Sequence, residues 1–260
     1  MHAIRIIGID AATKARSIGL ACGDVVDGEC KLLEARKAKK PVQKIAQWIN
    51  DGPKTVLLAV DAPLGWPAEL GKSLVDHRAG MSLGMPRKAA NQLFRRHTDR
   101  MIKRRLGKQP LDIGADRIAR TAHSILCRLH ELAEHCTAGV ELKMAWEPTP
   151  DGGCGLLEVY PAATLIALGA STRGYKKNDD KGRSARQAIV ETLHSELHIK
   201  CCRETMLDSD DVLDAAICVL AGFDFLQGRA IGPSSEEMTL AEKEGWIWCR
   251  RPDRARDHKA

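Results

Sequence analysis

Aromatic residues are scarce in this chain of 260 residues, since Phe, Trp and Tyr together make up only 4% of it. Proteins that hold single-stranded nucleic acid along its length stack successive bases on rows of aromatic side chains, and this composition argues against that mode of binding. The hydrophobic content of 44% is nevertheless enough for a real core, built mainly from aliphatic residues. We expect one large domain, or one domain with a sizeable insertion.

Long hydrophobic runs and paired cysteines are missing as well. No apolar run reaches the roughly 18 residues of a membrane-spanning helix, and the first apolar run is too short for the core of a signal peptide. The nine cysteines are scattered without a C-x-x-C pair, and the adjacent Cys201 and Cys202 are poorly arranged for chelating zinc. Free thiols in a reducing compartment are the simpler interpretation, so we predict a cytoplasmic protein that does not contact membranes.

Positive charge is concentrated in one segment. The whole chain carries +6, whereas residues 86–108 carry nine basic residues and one acid, Asp99. A charge run is usually a solvated helix face, but this uncompensated excess favours a helix, opened by Pro86, that faces a polyanion such as nucleic acid. The candidate nucleic-acid-binding residues are Arg87, Lys88, Arg95, Arg96, Arg100, Lys103 and Arg104, together with Lys176 and Lys177 in a later polar loop.

Two predicted strands end on an aspartate. The apolar run 4–9 ends at Asp10, and the apolar run 56–60 ends at Asp61. Such runs are typical of central strands covered on both faces, and open α/β sheets place their chemistry at the carboxyl ends of these strands. Either aspartate alone could be a turn cap. The repetition favours a shared site.

A late helix supplies two further acids. The pattern predicts a helix from Asp210 toward Phe225, on which Asp211 and Asp214 share a face because they lie three residues apart. Small residues continue this face, which would let the helix press close to a sheet. The helix dipole accounts for Asp210, but it does not account for Asp214 in the middle of the helix.

Glu158 stands alone among apolar neighbours in the predicted strand 156–160. Burying an unpaired carboxylate costs several kcal/mol, so this residue needs a partner. A metal ion or an arginine from segment 68–150 could serve. We include Glu158 among the candidate catalytic residues, and the sequence does not decide between the two partners.

The four aspartates 10, 61, 211 and 214 are candidate metal ligands. Clustered carboxylates raise one another's pKa values, and a divalent cation removes that conflict. Oxygen-only ligands suit Mg²⁺ or Mn²⁺ rather than zinc. Two such ions about 4 Å apart can clamp the attacking and leaving oxygens of a phosphodiester.

Several motifs together resemble the DUF429 family of predicted RNase H-like nucleases. They are Gly8-Ile9-Asp10-x-Ala12, Val60-Asp61-Ala62-Pro63-Leu64-Gly65-Trp66-Pro67, Glu158-Val159-Tyr160-Pro161, Asp211-x-x-Asp214-Ala215 and Gly245-Trp246-Ile247. Their order is similar to the wider RNase H-like superfamily, especially RuvC-type resolvases. The resemblance implies an α/β fold with a mixed five-stranded sheet flanked by helices. Segments 1–67 and 151–250 would form this core, 68–150 a mostly helical basic insertion, and 251–260 a charged, disordered tail.

These observations predict a metal-dependent nuclease that uses Mg²⁺ or Mn²⁺. A non-catalytic nucleic-acid-binding protein and a small-molecule phosphoesterase remain alternatives. A phosphotransferase of the same superfamily is a third, although it usually needs two RNase H-like halves and a Gly-rich loop where this chain has Ala11-Ala12-Thr13. The sequence does not distinguish DNA from RNA, and it is compatible with a homodimer without requiring one.

Overall fold

A mixed β-sheet with helices on both faces forms the body of the protein. The computed structural model describes residues 3–86, 89, 91–114, 116–137, 140–148, 152–199 and 201–252. The strands in these residues are β1 (Ile4–Asp10), β2 (Gly19–Val26), β3 (Glu29–Lys37), β4 (Thr55–Asp61), β5 (Leu142–Met144), β6 (Gly153–Val159), β7 (His198–Ile199) and β8 (Ile247–Trp248). The helices are α1 (Pro41–Asn50), α2 (Ala68–Leu74), α3 (Asn91–Phe94), α4 (His97–Leu106), α5 (Asp116–His135), α6 (Pro161–Ala167), α7 (Asp180–Glu196), α8 (Arg203–Asp208), α9 (Asp210–Leu226) and α10 (Met238–Glu244).

The strand order is β5-β6-β4-β1-β2-β3-β7, and β8 pairs with β6. Strands β1, β2 and β3 form an antiparallel meander, whereas β4 and β6 continue from β1 in parallel. The predicted RNase H-like sheet of five main strands is therefore confirmed. The remaining strands β5, β7 and β8 have only two or three residues each, which is too short for an alternating sequence pattern to reveal them.

The register of the central strands sets the position of the two strand-end aspartates. In the parallel pair β1–β4, Asp10 lies directly opposite Asp61. Neighbouring strands are about 4.8 Å apart, so the two side chains begin from adjacent positions at the same edge of the sheet.

Helix α9 lies against the sheet and is buried along almost its whole length. All of its residues from Val212 to Phe225 are buried, and it packs on β1, β2 and β4 as well as on other helices. A helix that is hydrophobic on all sides is typical of such an interior position.

Glycines on the strands let α9 approach closely. A Cβ atom on Gly8 would lie 2.0 Å from the Ala215 carbonyl oxygen, and one on Gly19 would lie 1.9 Å from the Asp211 carbonyl oxygen. A larger residue at either position would have to push the helix away. The predicted close contact is therefore real, and glycines on β1 and β2 contribute to it as much as the small residues of the helix.

The basic segment 68–150 covers the sheet rather than standing apart from it. Ile125, Leu129 and Leu132 of α5 pack with α1 against one face, while Met101 and Ile102 of α4 belong to the core on the other face. None of the helices in the described residues is long and apolar enough to cross a membrane. Most of the predicted disordered tail, residues 253–260, lies outside the described residues.

The prediction of a single helix that begins at Pro86 is wrong for the part of this segment that the structure describes. The chain forms α3 and α4 there, separated at Arg95 and Arg96. Arg96 is the N-cap of α4 and has the extended backbone usual at that position (φ −68°, ψ 166°), and its side chain turns into the interior. Arg87 and Lys88 lie outside the described residues.

Candidate metal centre

Three carboxylates converge at the edge of the sheet where β1 and β4 end. Asp10, Asp61 and Asp214 each offer one carboxylate oxygen, and these three oxygens lie within 4.8 Å of one another. Asp214 on α9 is 1% exposed, while the two strand-end residues are half-buried. We refer to these three residues as the carboxylate cluster.

A loop between α6 and α7 closes one side of the cluster. The Lys176 Nζ atom lies 2.7 Å from Oδ2 of Asp214, and the Tyr175 hydroxyl donates a hydrogen bond of 2.8 Å to Oδ1 of the same residue. Both oxygens of Asp214 are thus held in place. Lys176 was predicted to contact nucleic acid, and the structure places it directly beside the cluster.

A buried arginine fixes this loop. Arg186 on α7 is 4% exposed, and it donates hydrogen bonds to the carbonyl oxygens of Tyr175, Lys177 and Leu207 at 2.6, 2.9 and 2.6 Å. Neither Tyr175 nor Arg186 was predicted from the sequence. Tyr175 could have been noticed as an aromatic residue inside a polar, Lys-rich loop, because aromatic residues are so rare in this chain.

The electrostatics of the cluster favour a bound cation. Burial, then the negative charge of Asp214, raises the pKa of Asp61 to about 8. Burial and the charges of Asp214 and Asp61 hold the pKa of Asp10 well above its ordinary value. Burial also raises the pKa of Asp214, although Lys176 and Tyr175 act in the opposite direction. The single ammonium group nearby therefore does not balance three carboxylates.

The donor set fits a hard divalent cation. Mg²⁺ holds oxygen ligands at about 2.1 Å, so opposite ligands of an octahedral ion lie about 4.2 Å apart. Neighbouring ligands of such an ion lie about 3.0 Å apart, so the three oxygens, which lie within 4.8 Å of one another, would draw closer together around one ion. Carboxylate oxygens without histidine or cysteine suit Mg²⁺ or Mn²⁺ rather than zinc.

Asp211 lies outside the carboxylate cluster. Its Oδ2 atom is 2.5 Å from the Nζ atom of Lys37, and its side chain is 29% exposed. The structure thus brings together three of the four aspartates predicted from the sequence. The fourth forms an ion pair with the end of β3.

Glu158 forms a buried ion pair with Arg96. The two guanidinium NH groups lie 2.5 and 2.7 Å from its carboxylate oxygens, and both side chains are 2% exposed. The partner of Glu158 is therefore an arginine of segment 68–150. Its Oε2 also accepts a hydrogen bond of 3.0 Å from the Leu64 backbone NH, which ties down the turn after Asp61.

The predicted nucleic-acid-binding residues differ in how accessible they are. Arg96 is 1% exposed, so it is an interior residue and not a surface contact. Arg95 pairs with Asp112 at 2.6 Å, and Arg100 is half-buried and donates to the Arg95 carbonyl oxygen. Among the members that the structure describes, the exposed ones are Lys103, Arg104, Lys176 and Lys177.

The raised pKa of Asp61 predicts how the stability of the metal-free protein changes with pH. Its folded pKa of about 8 exceeds the ordinary 3.8, so between these values the folded state binds this proton more tightly than the unfolded state does. Stability should therefore fall as pH rises from about 4 to about 8. Asp61→Asn should remove part of this loss. In urea unfolding with EDTA, we expect the variant to gain stability over the wild type as pH rises, with little difference near pH 4. A gain that is the same at every pH would contradict this prediction.

Comparisons with known proteins identify a family and a distant structural likeness. The sequence profile of a family described as "Protein of unknown function (DUF429)" matches residues 8–238. No curated protein matches the chain. Among solved structures it is similar to one described as T. thermophilus RuvC in complex with a Holliday junction substrate, with 12% identity, 86% of this chain and 96% of that chain covered, and a TM-score of 0.35. A likeness this distant carries no conclusion about the site, which has to be judged from its own geometry.

Proposed function

This chain belongs to the DUF429 family, and from that premise we propose that it is a metal-dependent nuclease that hydrolyses phosphodiester bonds of nucleic acid. The observation that carries the proposal is the carboxylate cluster, with three oxygens within 4.8 Å of one another on two strand ends and a buried helix. So many acids are costly to gather in a half-buried site unless a cation binds them. Phosphodiester hydrolysis is a reaction that such a cation promotes.

Each residue of the site has a part in the proposed mechanism. Asp10, Asp61 and Asp214 would hold Mg²⁺ or Mn²⁺, which when bound polarises the phosphate and helps to activate the attacking water. Tyr175 keeps Asp214 in one orientation through its hydrogen bond. Lys176 places a positive charge beside the position of the reacting phosphate. A second cation could share these carboxylates, and Asp211 would be a further ligand only if its ion pair with Lys37 opened.

The location of positive charge supports a nucleic acid as the substrate. Lys103 and Arg104 are exposed on α4, and Lys108 is exposed just after it. Lys108 also lines a cavity next to Asp61, together with Lys177. Contacts of this kind position the phosphate backbone without reading its sequence. A purely binding protein would gain nothing from three acids that repel phosphate, so the cluster favours catalysis over binding alone.

Incubation with a panel of nucleic acids tests this proposal. Purified protein is mixed with single-stranded, double-stranded and branched forms of DNA and RNA in Mn²⁺, Mg²⁺ or EDTA. We expect cleavage of at least one form that requires the cation, together with a rise in melting temperature when Mn²⁺ is added. If no form is cleaved and Mn²⁺ causes no thermal shift, the proposal fails.

A further inference from the structure

A cavity of about 640 Å³ adjoins the carboxylate cluster. Asp61 and Lys176 form part of its wall, so the cavity borders the cluster on the side of Asp61. Its volume lies within the range of roughly 300–1,000 Å³ that is typical of sites for small organic molecules. A single nucleotide, either at the end of a nucleic-acid strand or flipped out of a duplex, has about this size.

The cavity wall has two kinds of chemistry. Apolar side chains come from the loop after α4, from α5 and from the start of α6. These residues are Pro110, Leu111, Ile118, Pro161 and Ala162. Tyr160 and Tyr175 add aromatic rings, and Lys108, Lys176 and Lys177 add positive charge. The carboxylates of Asp99 and Glu158 on the wall are paired with Arg96. A matching ligand therefore has a flat, largely apolar part and an anionic part.

The aromatic and cationic groups are placed close to the cluster. Tyr160 directly follows β6, whose neighbour β4 ends at Asp61, so Tyr160 and Asp61 stand at the same edge of the sheet. Lys176 contacts Asp214 at 2.7 Å while its side chain stays 59% exposed. An anionic group that reaches Lys176 from the cavity thus arrives beside the carboxylates.

We propose that this cavity holds one nucleoside of the substrate, with the phosphate attached to it lying beside Lys176 and the carboxylate cluster. Tyr175 is 3% exposed and bonded to Asp214, so Tyr160 is the ring of the wall that can stack on a base. This inference rests on the proposed nuclease function and narrows the substrate to a single unstacked nucleotide unit. Stacked bases inside an intact duplex do not present that unit.

Two chromogenic phosphodiesters with the same leaving group test the inference. They are the p-nitrophenyl ester of thymidine 5′-monophosphate and bis(p-nitrophenyl) phosphate, which has no nucleoside. In both reactions water oxygen forms the new bond to phosphorus and the bond to p-nitrophenolate breaks. With Mn²⁺ we expect a KM about ten- to a hundred-fold lower for the thymidine ester, as one stacked base would give.

A variant that fills the cavity provides the matched comparison. Thr121 lines the cavity from α5, so Thr121→Trp should remove the KM advantage of the thymidine ester. His130→Trp changes an exposed position on the same helix and should keep the advantage. Equal KM values for the two esters in the wild type, or an advantage that survives Thr121→Trp, would overturn the inference while the nuclease proposal stands.

Calorimetry decides the inference even without turnover. If the protein hydrolyses neither ester, this result counts against the nuclease proposal and leaves the nucleoside site to be tested by binding. Thymidine 5′-monophosphate is then titrated into the protein with Mg²⁺ present. Saturable binding that Thr121→Trp weakens and His130→Trp does not would support the nucleoside site. No saturable binding, or equal binding by both variants, would overturn it.

Discussion

Asp214→Asn is expected to reduce metal-dependent cleavage by about 10²-fold or more and to abolish the thermal shift caused by Mn²⁺. A bound metal ion stabilises the transition state by several kcal/mol, and each 1.36 kcal/mol corresponds to about tenfold in rate. Asp214 is the member of the cluster held by both Lys176 and Tyr175. Replacing its carboxylate with an amide would therefore remove a charged metal ligand that is held in a fixed position. Cleavage rates at several Mn²⁺ concentrations, with melting curves on the same samples, measure the effect.

Asp211→Asn is the matched comparison on the same helix. The chemical change is the same, but Asp211 pairs with Lys37 and is 29% exposed. Partly exposed ion pairs contribute little to stability, so the protein should stay folded without this pair. Because Asp211 lies outside the carboxylate cluster, we expect a much smaller loss of cleavage and a retained thermal shift. If the two variants lose activity equally, Asp211 is a metal ligand in the active protein, as the sequence predicts.

Arg96→Met is expected to destabilise the protein by about 3–5 kcal/mol, because breaking a buried ion pair leaves an uncompensated charge. Glu158 and Asp99 both bond to the Arg96 side chain, and each is 2% exposed. The guanidinium also donates to the Glu244 carbonyl oxygen at 3.1 Å. The substitution would therefore also weaken the contact between α4 and α10. Urea unfolding followed by circular dichroism measures it.

Two further variants separate the ion pair from general effects of losing an arginine. Arg104→Met on exposed α4 surface should change stability by less than about 0.5 kcal/mol. Adding Glu158→Gln to Arg96→Met should recover part of the loss, because it removes one of the stranded charges. A loss that is equal for Arg96→Met and Arg104→Met would show that the buried pair contributes nothing specific.

The parts of the fold that depend on local pattern could be predicted from the sequence. Two continuous apolar runs ending on Asp10 and Asp61 indicated central strands, and their parallel register placed the two acids side by side. The late helix and its close contact with the sheet followed from its small residues. Hydrophobic periodicity and strand-end chemistry are local signals, so they are visible without knowledge of the partner segment.

Pairings between distant segments could not be predicted in the same way. Nothing near Arg96 in the sequence shows that it turns inward to reach Glu158, and a run of basic residues looks alike whether its members are buried or exposed. The ion pair of Asp211 with Lys37 could not be predicted for a related reason. Helical spacing puts it on the same face as Asp214, but Lys37 of β3 lies close enough to bind it first.

The close packing of α9 on Gly8 and Gly19 has a consequence for protein synthesis. The strands that carry Asp10 and Asp61 leave the ribosome early, whereas Asp214 is translated much later and cannot reach them until α9 has docked. A nascent or prematurely terminated chain that ends before α9 therefore carries the basic segment but no assembled cluster. Under the proposed nuclease function, such a fragment would attract nucleic acid but would have no means of cutting it.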